Sequence, residues 1–218
     1  LDYAISLKMV LELREIKVSE ITGAIIGSVV PPVTSLMREA IRKVTGQEAL
    51  VVNVDMNIGL EVLMDNPSSV GTDLIVGAVA GINRYPVPLI LIDMGTATTI
   101  CVVNENKQYI GGMILPGIGV SMNSLTSRTA QLPRISLDLP KHLIGKNTVE
   151  CMQSGILYGN ATCIDGMIDR IEATLYQKAT VVATGGLARK IIPLCRHQIE
   201  LDDELLLRGL WIIYKKNK

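Results

Sequence analysis

A buried strand that ends in an acidic turn is the feature of this sequence that most constrains its fold. Residues 88–99 read PLILIDMGTATT, and their apolar run predicts a strand covered on both faces. Asp93 stands at the end of the run, and Gly95 lets the backbone turn sharply and approach a ligand closely. Hydroxyl groups that can donate hydrogen bonds to phosphate oxygens follow at Thr96, Thr98 and Thr99. A carboxylate beside them indicates a cation between it and the anion, so the segment predicts a nucleotide-phosphate turn.

Two further strands follow this turn. The sequence predicts them at residues 98–103 and 108–115, joined by the polar turn 104–107. A strand, an Asp-x-Gly-Thr turn and two more strands resemble the arrangement with which actin, sugar kinases and heat-shock ATPases hold the phosphates of ATP. The alternative is an ordinary Gly-Thr hairpin with a capping aspartate.

A second nucleotide signal lies in Ala183-Thr184-Gly185-Gly186. Two glycines at the carboxyl end of a predicted buried strand would let a ring or a ribose lie against bare backbone. The alternative is a simple strand-to-helix turn. Together with the turn at Asp93, this segment favours a nucleotide site.

The hydrophobic periodicity of the whole chain predicts an α/β fold with two similar halves. Helices are expected at about residues 4–13, 33–44, 74–82, 120–130, 148–175, 187–194 and 204–214, and further strands at about 23–30, 49–54, 180–186 and 199–201. The second half, residues 87–218, opens with three strands, whereas the first half, residues 1–86, shows the same alternation without them. We therefore expect that the first half lacks its opening strands, including a second phosphate turn, and that the sequence begins inside a longer protein.

The composition of the chain argues against several classes of partner. Its 218 residues carry 21 basic and 21 acidic side chains, so neither nucleic acid nor an anionic membrane is an expected partner. No apolar run reaches the length of a membrane span, and no signal peptide is recognisable, which favours a cytoplasmic protein. The four cysteines stand among apolar residues as reduced core thiols would, and the two histidines suggest no metal site.

The long helix expected at residues 148–175 predicts a dimer. Its apolar residues occupy more of the circumference than one core face requires. They are Met152, Ile156, Leu157, Ile164, Met167 and Ile168. The alternative is a helix buried within a single large domain.

Several segments together resemble the type III pantothenate kinases over essentially the whole chain. They are Asp65–Pro67 with Val70–Asp73, Asp93–Thr99, Gly111–Gly112 with Pro116–Gly117, Arg128–Pro133, Gly145–Glu150 and Ala183–Ala188. The resemblance implies a homodimer with a duplicated actin-like (ribonuclease H-like) fold and a nucleotide cleft between its halves. It also implies phosphorylation of pantothenate by ATP with Mg²⁺ and a monovalent cation, K⁺ or NH₄⁺, as the first step of coenzyme A biosynthesis.

The resemblance assigns roles to individual residues. Asp73 matches the catalytic base that takes the proton from the attacking pantothenate hydroxyl, and such a base contributes roughly 10²- to 10⁴-fold. Asp93 matches the ligand of the monovalent cation, and Thr96 matches an ATP contact. The other expected nucleotide contacts are Gly95, Thr98, Gly185 and Gly186. The other expected substrate positions are Met64, Gly71, Thr72, Leu74 and Thr148.

Three departures from the family pattern keep alternatives open. The family's first phosphate turn is absent with the opening strands, an arginine is replaced by Leu74, and a tyrosine is replaced by Met64. Leu74 cannot make the bidentate contact that an arginine gives the carboxylate of pantothenate. One alternative is a non-catalytic, nucleotide-binding regulator like the Bvg accessory factors of this family. Another is a related kinase with an uncharged acceptor.

Overall fold

The computed structural model describes residues 2–53, 56–129 and 132–218 as a mixture of helices and strands. The α-helices are α1 (Asp2–Leu13), α2 (Pro31–Thr45), α3 (Thr72–Arg84), α4 (Ile118–Arg128), α5 (Thr148–Leu175), α6 (Ala188–Ile191) and α7 (Leu205–Lys216). The strands are β1 (Ala24–Ile26), β2 (Ala49–Val51), β3 (Glu61–Val62), β4 (Leu89–Met94), β5 (Ala97–Val103), β6 (Gln108–Pro116), β7 (Thr180–Thr184) and β8 (Glu200–Leu201). No helix within these three ranges is long and apolar enough to cross a membrane.

The chain divides into two compact units, and each unit is assembled from more than one stretch of the sequence. Unit 1 comprises Leu1–Leu60, Asp65–Asn83 and Leu206–Lys218, and unit 2 comprises Glu61–Met64 and Arg84–Leu205. Nearly all of α7 therefore belongs with the amino-terminal residues. The proposed division into halves at residues 1–86 and 87–218, and the absence of opening strands from the first, stay predictions.

Unit 2 is built on a mixed six-stranded sheet in the order β3-β6-β5-β4-β7-β8. Strands β4, β5 and β6 are antiparallel neighbours, whereas β7 is parallel to β4 and β8 is parallel to β7. Because β4 and β7 run in the same direction, the turn after β4 and the end of β7 lie at the same edge of the sheet. This edge carries the predicted nucleotide residues.

The core of unit 2 lies between this sheet and α5. Leu89, Ile90 and Ile92 of β4 have no exposed surface, as the apolar run predicted. Ile90 and Ile92 share one apolar cluster with Leu157 and Ile168 of α5. Each such side chain contributes roughly 1.5–3 kcal/mol when it is fully buried. The sheet edge is therefore held by a well-packed interior.

The apolar surface of α5 is used within unit 2. Among the six apolar residues on which the dimer prediction was based, five are buried and Met167 packs against the core cluster. The argument for a dimer from the circumference of this helix was therefore wrong, because one long helix lies deep in its own core. The alternative of a helix buried within its own domain describes it correctly.

Unit 1 contains a two-stranded parallel sheet of β1 and β2 among the described residues. Ile26, Ile41 and Ala49 form its small core between this sheet and α2. The strand expected at about residues 23–30 is β1, which stops at Ile26, and Pro31 and Pro32 open α2. A proline in the first helical turn loses no hydrogen bond, which explains this position.

Three residues that belong to predicted elements or motifs lie outside the described residues. Val54 was expected to end the strand that begins at Ala49, and the structure describes that strand as β2 up to Val51. Ala130 and Gln131 belong to a segment on which the family resemblance was based. The rest of that segment, from Arg128 to Thr129 and from Leu132 to Pro133, is described.

Candidate functional site

The predicted phosphate turn lies at the end of β4. Asp93 pairs across to Thr99 of β5 and stands beside Thr184 of β7. It is half-buried, while Gly95 and Thr96 are exposed. The Gly95 amide closes the turn by donating a hydrogen bond to the Ala97 carbonyl at 3.0 Å. The turn thus offers a ligand a carboxylate, an exposed hydroxyl and bare backbone.

Gly185 brings the end of β7 against this turn. Its φ of +97° lies where glycine is strongly favoured. A Cβ at this position would fall 2.7 Å from Asp93 Oδ1 and 2.7 Å from the Met94 amide nitrogen. Gly186 is exposed, and a Cβ there would meet nothing within 4 Å. The structure therefore brings Asp93, Gly95 and Gly185 together, and Gly186 adds exposed backbone next to them.

The amino-terminal end of α4 lies against the same turn. Gly117 is the N-cap residue of this 11-residue helix. A Cβ at Gly117 would fall 2.1 Å from the Thr96 carbonyl oxygen and 2.7 Å from that of Gly95, so only glycine permits the approach. Helix amino termini carry partial positive charge and unpaired amides. This edge of the sheet is therefore suited to phosphate oxygens, with the Asp93 carboxylate placed to hold a cation beside them.

Thr98 lies on the other face of β5. It pairs with Met94, which belongs to the core cluster, and it is only 3% exposed. Its hydroxyl has no hydrogen-bond partner among the described residues. Because successive strand residues face opposite sides, Thr98 points away from the face that carries Asp93 and Thr99. This geometry does not favour the expected contact between Thr98 and a nucleotide.

The expected acceptor-binding residues of unit 1 lie together at the start of α3. The Gly71 carbonyl accepts the first helical hydrogen bond, from the Ile75 amide at 3.2 Å. Asp73 is exposed in the first turn, and its Oδ1 accepts a hydrogen bond from the Leu74 amide at 3.0 Å. A Cβ at Gly71 would fall 2.5 Å from that oxygen, so glycine makes room for the carboxylate. Thr72 and Leu74 are half-buried on either side of Asp73.

Two further expected substrate residues belong to unit 2. Met64 is half-buried, and its sulfur lies 3.8 Å from where a Cβ of Gly111 would stand. Thr148 is the first residue of α5 and lines an apolar cavity of about 720 Å³. Val120 and Leu125 of α4 and Met152 of α5 form part of its wall. Unit 1 instead contains Gly71, Thr72, Asp73 and Leu74.

Glu150 is a residue of this region to which the sequence analysis gave no role. It is buried two positions after Thr148, and its amide donates to the Asn147 side chain at 2.9 Å. The pattern Asn147-x-x-Glu150 is typical of a helix start in which both side chains satisfy backbone amides. That signal could have identified Glu150 from the sequence.

Two solved structures share the fold of this chain. A protein assigned to the Baf family of transcriptional activators, from Campylobacter jejuni, is 21% identical with a TM-score of 0.52, covering 78% of this chain and 81% of that one. The ethanolamine utilization protein EutJ from Carboxydothermus hydrogenoformans is 16% identical with a TM-score of 0.50, covering 99% of this chain and 75% of that one. These likenesses concern the fold alone, and they confirm the expected actin-like α/β class.

The sequence comparisons are more specific. The sequence model of the type III pantothenate kinase family matches residues 2–170. The type III pantothenate kinase of Bacillus cytotoxicus is 43% identical over 216 residues, which cover 99% of this chain and 82% of that protein. Both matches include the turn at Asp93 and the start of α3 at Asp73. The chain therefore belongs to the type III pantothenate kinase family.

Proposed function

We propose that this chain transfers the terminal phosphoryl group of ATP to pantothenate, giving 4'-phosphopantothenate in the first step of coenzyme A biosynthesis. The observation that carries the proposal is 43% identity to a type III pantothenate kinase over 99% of the chain. The phosphate-suited edge at Asp93 and the exposed carboxylate of Asp73 support it. Both are features that a phosphoryl transfer to a hydroxyl requires.

Asp73 acts as the general base in this proposal. The hydroxyl oxygen of pantothenate bonds to the γ-phosphorus, the bond from that phosphorus to the bridging oxygen breaks, and ADP leaves with the electron pair. The hydroxyl proton passes to the Asp73 carboxylate. That carboxylate is exposed and is oriented by the Leu74 amide. Most of the rate enhancement comes from positioning and charge neutralisation, because phosphoryl transfer asks for little covalent chemistry.

The turn at Asp93 binds the phosphates of ATP in this proposal. Thr96 and the bare backbone of Gly95, Gly185 and Gly186 supply the contacts, and Mg²⁺ accompanies the nucleotide. Asp93 would hold a monovalent cation, K⁺ or NH₄⁺. The residues present fit such an ion, because Gly185 leaves space beside Oδ1 of Asp93 that a Cβ at this position would fill. When bound, the ion would neutralise negative charge next to the phosphates.

The acceptor contacts proposed in unit 1 are Gly71 and Thr72, and those proposed in unit 2 are Met64 and Thr148. Leu74 stands where the family pattern has an arginine and Met64 where it has a tyrosine, so we expect weak recognition of the pantothenate carboxylate. A homodimer and a cytoplasmic location, both implied by the family resemblance or the composition, stay predictions.

The Asp73→Asn variant tests this proposal. We expect turnover of pantothenate with ATP to fall by roughly 10²- to 10⁴-fold, because a base of this kind contributes that much. Nucleotide affinity should stay nearly unchanged, because Asp73 serves the acceptor and not ATP. A coupled assay for ADP release and calorimetric titration of nucleotide would measure the two effects. Asp169→Asn, which removes an exposed carboxylate of α5, is the surface control.

Two other results would redirect the proposal. Turnover that survives in Asp73→Asn would remove this residue from the mechanism. A parent protein that binds nucleotide but phosphorylates neither pantothenate nor an uncharged analogue would favour the non-catalytic regulator. Activity confined to the uncharged analogue would instead identify a kinase with a remodelled acceptor pocket.

A further inference from the structure

We infer that Glu150 is a positioning residue that holds the segment His142–Asn147 and thereby fixes Thr148 for contact with the acceptor substrate. The inference rests on the proposed function, since it takes Thr148 to be a contact of that substrate. It concerns a buried carboxylate that takes part in neither the cation site nor the proton transfer.

The segment His142–Asn147 contains neither helix nor strand, so its amides are not paired in a regular ladder and can donate to side-chain partners. Glu150 supplies both of its carboxylate oxygens. Oε1 accepts a hydrogen bond from the His142 amide at 3.0 Å and lies 3.0 Å from His142 Nδ1. Oε2 accepts from the Lys146 amide at 2.9 Å. A single side chain thus ties the two ends of the segment together.

The next turns of α5 hold the middle of the same segment. The Ser154 hydroxyl donates to the Leu143 carbonyl, and the Cys151 thiol donates to the Gly145 carbonyl at 3.3 Å. A Cβ at Gly145 would fall 2.5 Å from the Cys151 amide nitrogen, so the segment lies directly against the helix. Glu150, Cys151 and Ser154 therefore act together to hold the segment against α5.

The charge of Glu150 makes it difficult to replace. The side chain is 7% exposed, and the hydrogen bond from the Lys146 amide, more than any other contact, lowers its pKa against the opposing effect of burial. Glutamine has the same shape but only one acceptor oxygen. Its NH₂ group would face an amide donor, and a buried donor without an acceptor is unfavourable.

Thr148 is the residue that this arrangement serves. It follows Asn147 directly, and its exposed side chain lines the cavity between α4 and α5. Asn147 ends the segment and is the N-cap residue of α5, where its side chain accepts a hydrogen bond from the Glu150 amide. Loss of the carboxylate would therefore loosen the segment and the first turn of α5, which carries Thr148, while the later turns of the helix keep their own hydrogen bonds.

The test compares Glu150→Gln with Glu172→Gln. Glu172 is the matched control, because it lies on the same helix, is 8% exposed and accepts a backbone amide, that of Ala179 at 3.1 Å. It stands at the other end of α5, far along the chain from Thr148. Both variants are expected to lower the melting temperature. Only Glu150→Gln should raise KM for pantothenate, by about tenfold, with KM for ATP and kcat changing less than about twofold.

Hydrogen exchange followed by mass spectrometry gives a readout that does not depend on activity. Peptides covering residues 142–147 should exchange faster in Glu150→Gln, whereas peptides from the middle of α5 should not. Ser154→Ala is a milder second variant that releases the Leu143 carbonyl, and it should raise KM for pantothenate by about two- to threefold. Ser154→Ala can still test the positioning role if Glu150→Gln does not fold.

The outcomes separate this inference from the proposed function. A parent protein that does not phosphorylate pantothenate would overturn both. An active parent in which neither Glu150→Gln nor Ser154→Ala changes KM for pantothenate would overturn only the positioning role. Equal effects of Glu150→Gln and Glu172→Gln on that KM would do the same, since they would show a general loss of stability.

Discussion

Leu74 is the expected acceptor contact at which a substitution distinguishes most sharply between the proposed substrates. It is half-buried next to Asp73 at the start of α3. If the acceptor is pantothenate, Leu74→Arg should tighten its binding by about tenfold or more, because a hydrogen bond to a charged group contributes roughly 1.5–3 kcal/mol. Calorimetric titration of pantothenate would measure the change. Leu74→Met keeps the size and lacks the charge, and it should bind like the parent.

An uncharged acceptor predicts a different effect of Leu74→Arg. In a pocket shaped for a neutral ligand, the new guanidinium would be partly buried without a partner, and the melting temperature would fall instead. A stable Leu74→Arg protein that binds no pantothenate would contradict the kinase proposal.

Individual site residues could be predicted where the neighbouring sequence determines the local secondary structure. Asp93 and Gly95 were found because an apolar strand must end in a turn, and the structure places both at that turn. The orientation of Thr98 could not be predicted, because Thr98 and Thr99 are both polar and the sequence does not show which of them faces the core. The pairing of Thr98 with Met94 puts Thr98 on the core face. The Asn147-x-x-Glu150 pattern could have placed Glu150 at a helix start, but the contacts of its carboxylate with the His142 and Lys146 amides could not be predicted, because backbone amides leave no trace in the sequence.

At the scale of elements, the junction between β7 and α6 depends on one glycine of a pair. We expect Gly185→Ala to weaken nucleotide binding strongly and to lower the melting temperature, because its Cβ would fall 2.7 Å from Asp93 Oδ1 in a backbone conformation that favours glycine. Gly186→Ala is the control for the melting temperature, since a Cβ there meets no protein atom within 4 Å. Thermal melting of both variants and nucleotide titration of Gly185→Ala would measure the effects. Equal melting temperatures of the two variants would contradict the described junction.

The carboxy-terminal end of α5 should respond to acid. Burial alone would raise the pKa of Glu172, but the hydrogen bonds from Lys178 at 2.6 Å and from the Ala179 amide outweigh it and lower the pKa below the ordinary 4.5. The group therefore adds stability above pH 4.5, and this stability is lost as the pH falls through the lowered value.

Melting temperatures between about pH 6 and about pH 3 would check this expectation. Glu172→Gln should show a smaller fall over that range than the parent protein. The exposed residue Glu20 provides a control, and Glu20→Gln should follow the parent. A fall in Glu172→Gln as large as that of the parent would show that other groups govern the acid response.

Elements were predicted best where their periodicity is long. The bounds of α5 match the prediction, because 28 residues give many turns over which the pattern repeats. The two-residue strand β3 is the opposite case. Strand β3 was not predicted, because Glu61 and Val62 join the sheet only through their pairing with Gln108 and Tyr109 of β6. Such a strand is created by its neighbour and has no pattern of its own.

At the scale of the whole molecule, we expect a homodimer, as in the family that the chain resembles. The six apolar residues of α5 on which the dimer prediction was based do not provide the contact surface, since five are buried and Met167 packs against the core. An apolar surface remains exposed beside the cavity between α4 and α5, and it offers a contact surface instead. It consists of Val120, Leu125 and Val149.

Light scattering at micromolar concentration should give twice the mass of one chain for the parent protein, and the mass of one chain for Leu125→Glu. Leu207→Glu, an equally drastic change on α7, should leave the parent's mass unchanged. A monomeric parent would contradict the expectation.

The packing of α7 into unit 1 has a consequence for the order in which the protein is made. A Cβ at Gly209 would fall 2.0 Å from the Val76 carbonyl oxygen, and the Asn217 side chain donates to the Asn57 carbonyl at 3.0 Å. A ribosome that has delivered α1, α2 and α3 has therefore not yet made the helix that completes their unit. The residues of unit 2 are all synthesised by Leu205, before nearly all of α7. Domains fold as units during synthesis. The part of this chain that leaves the ribosome first is thus the part that finishes folding last.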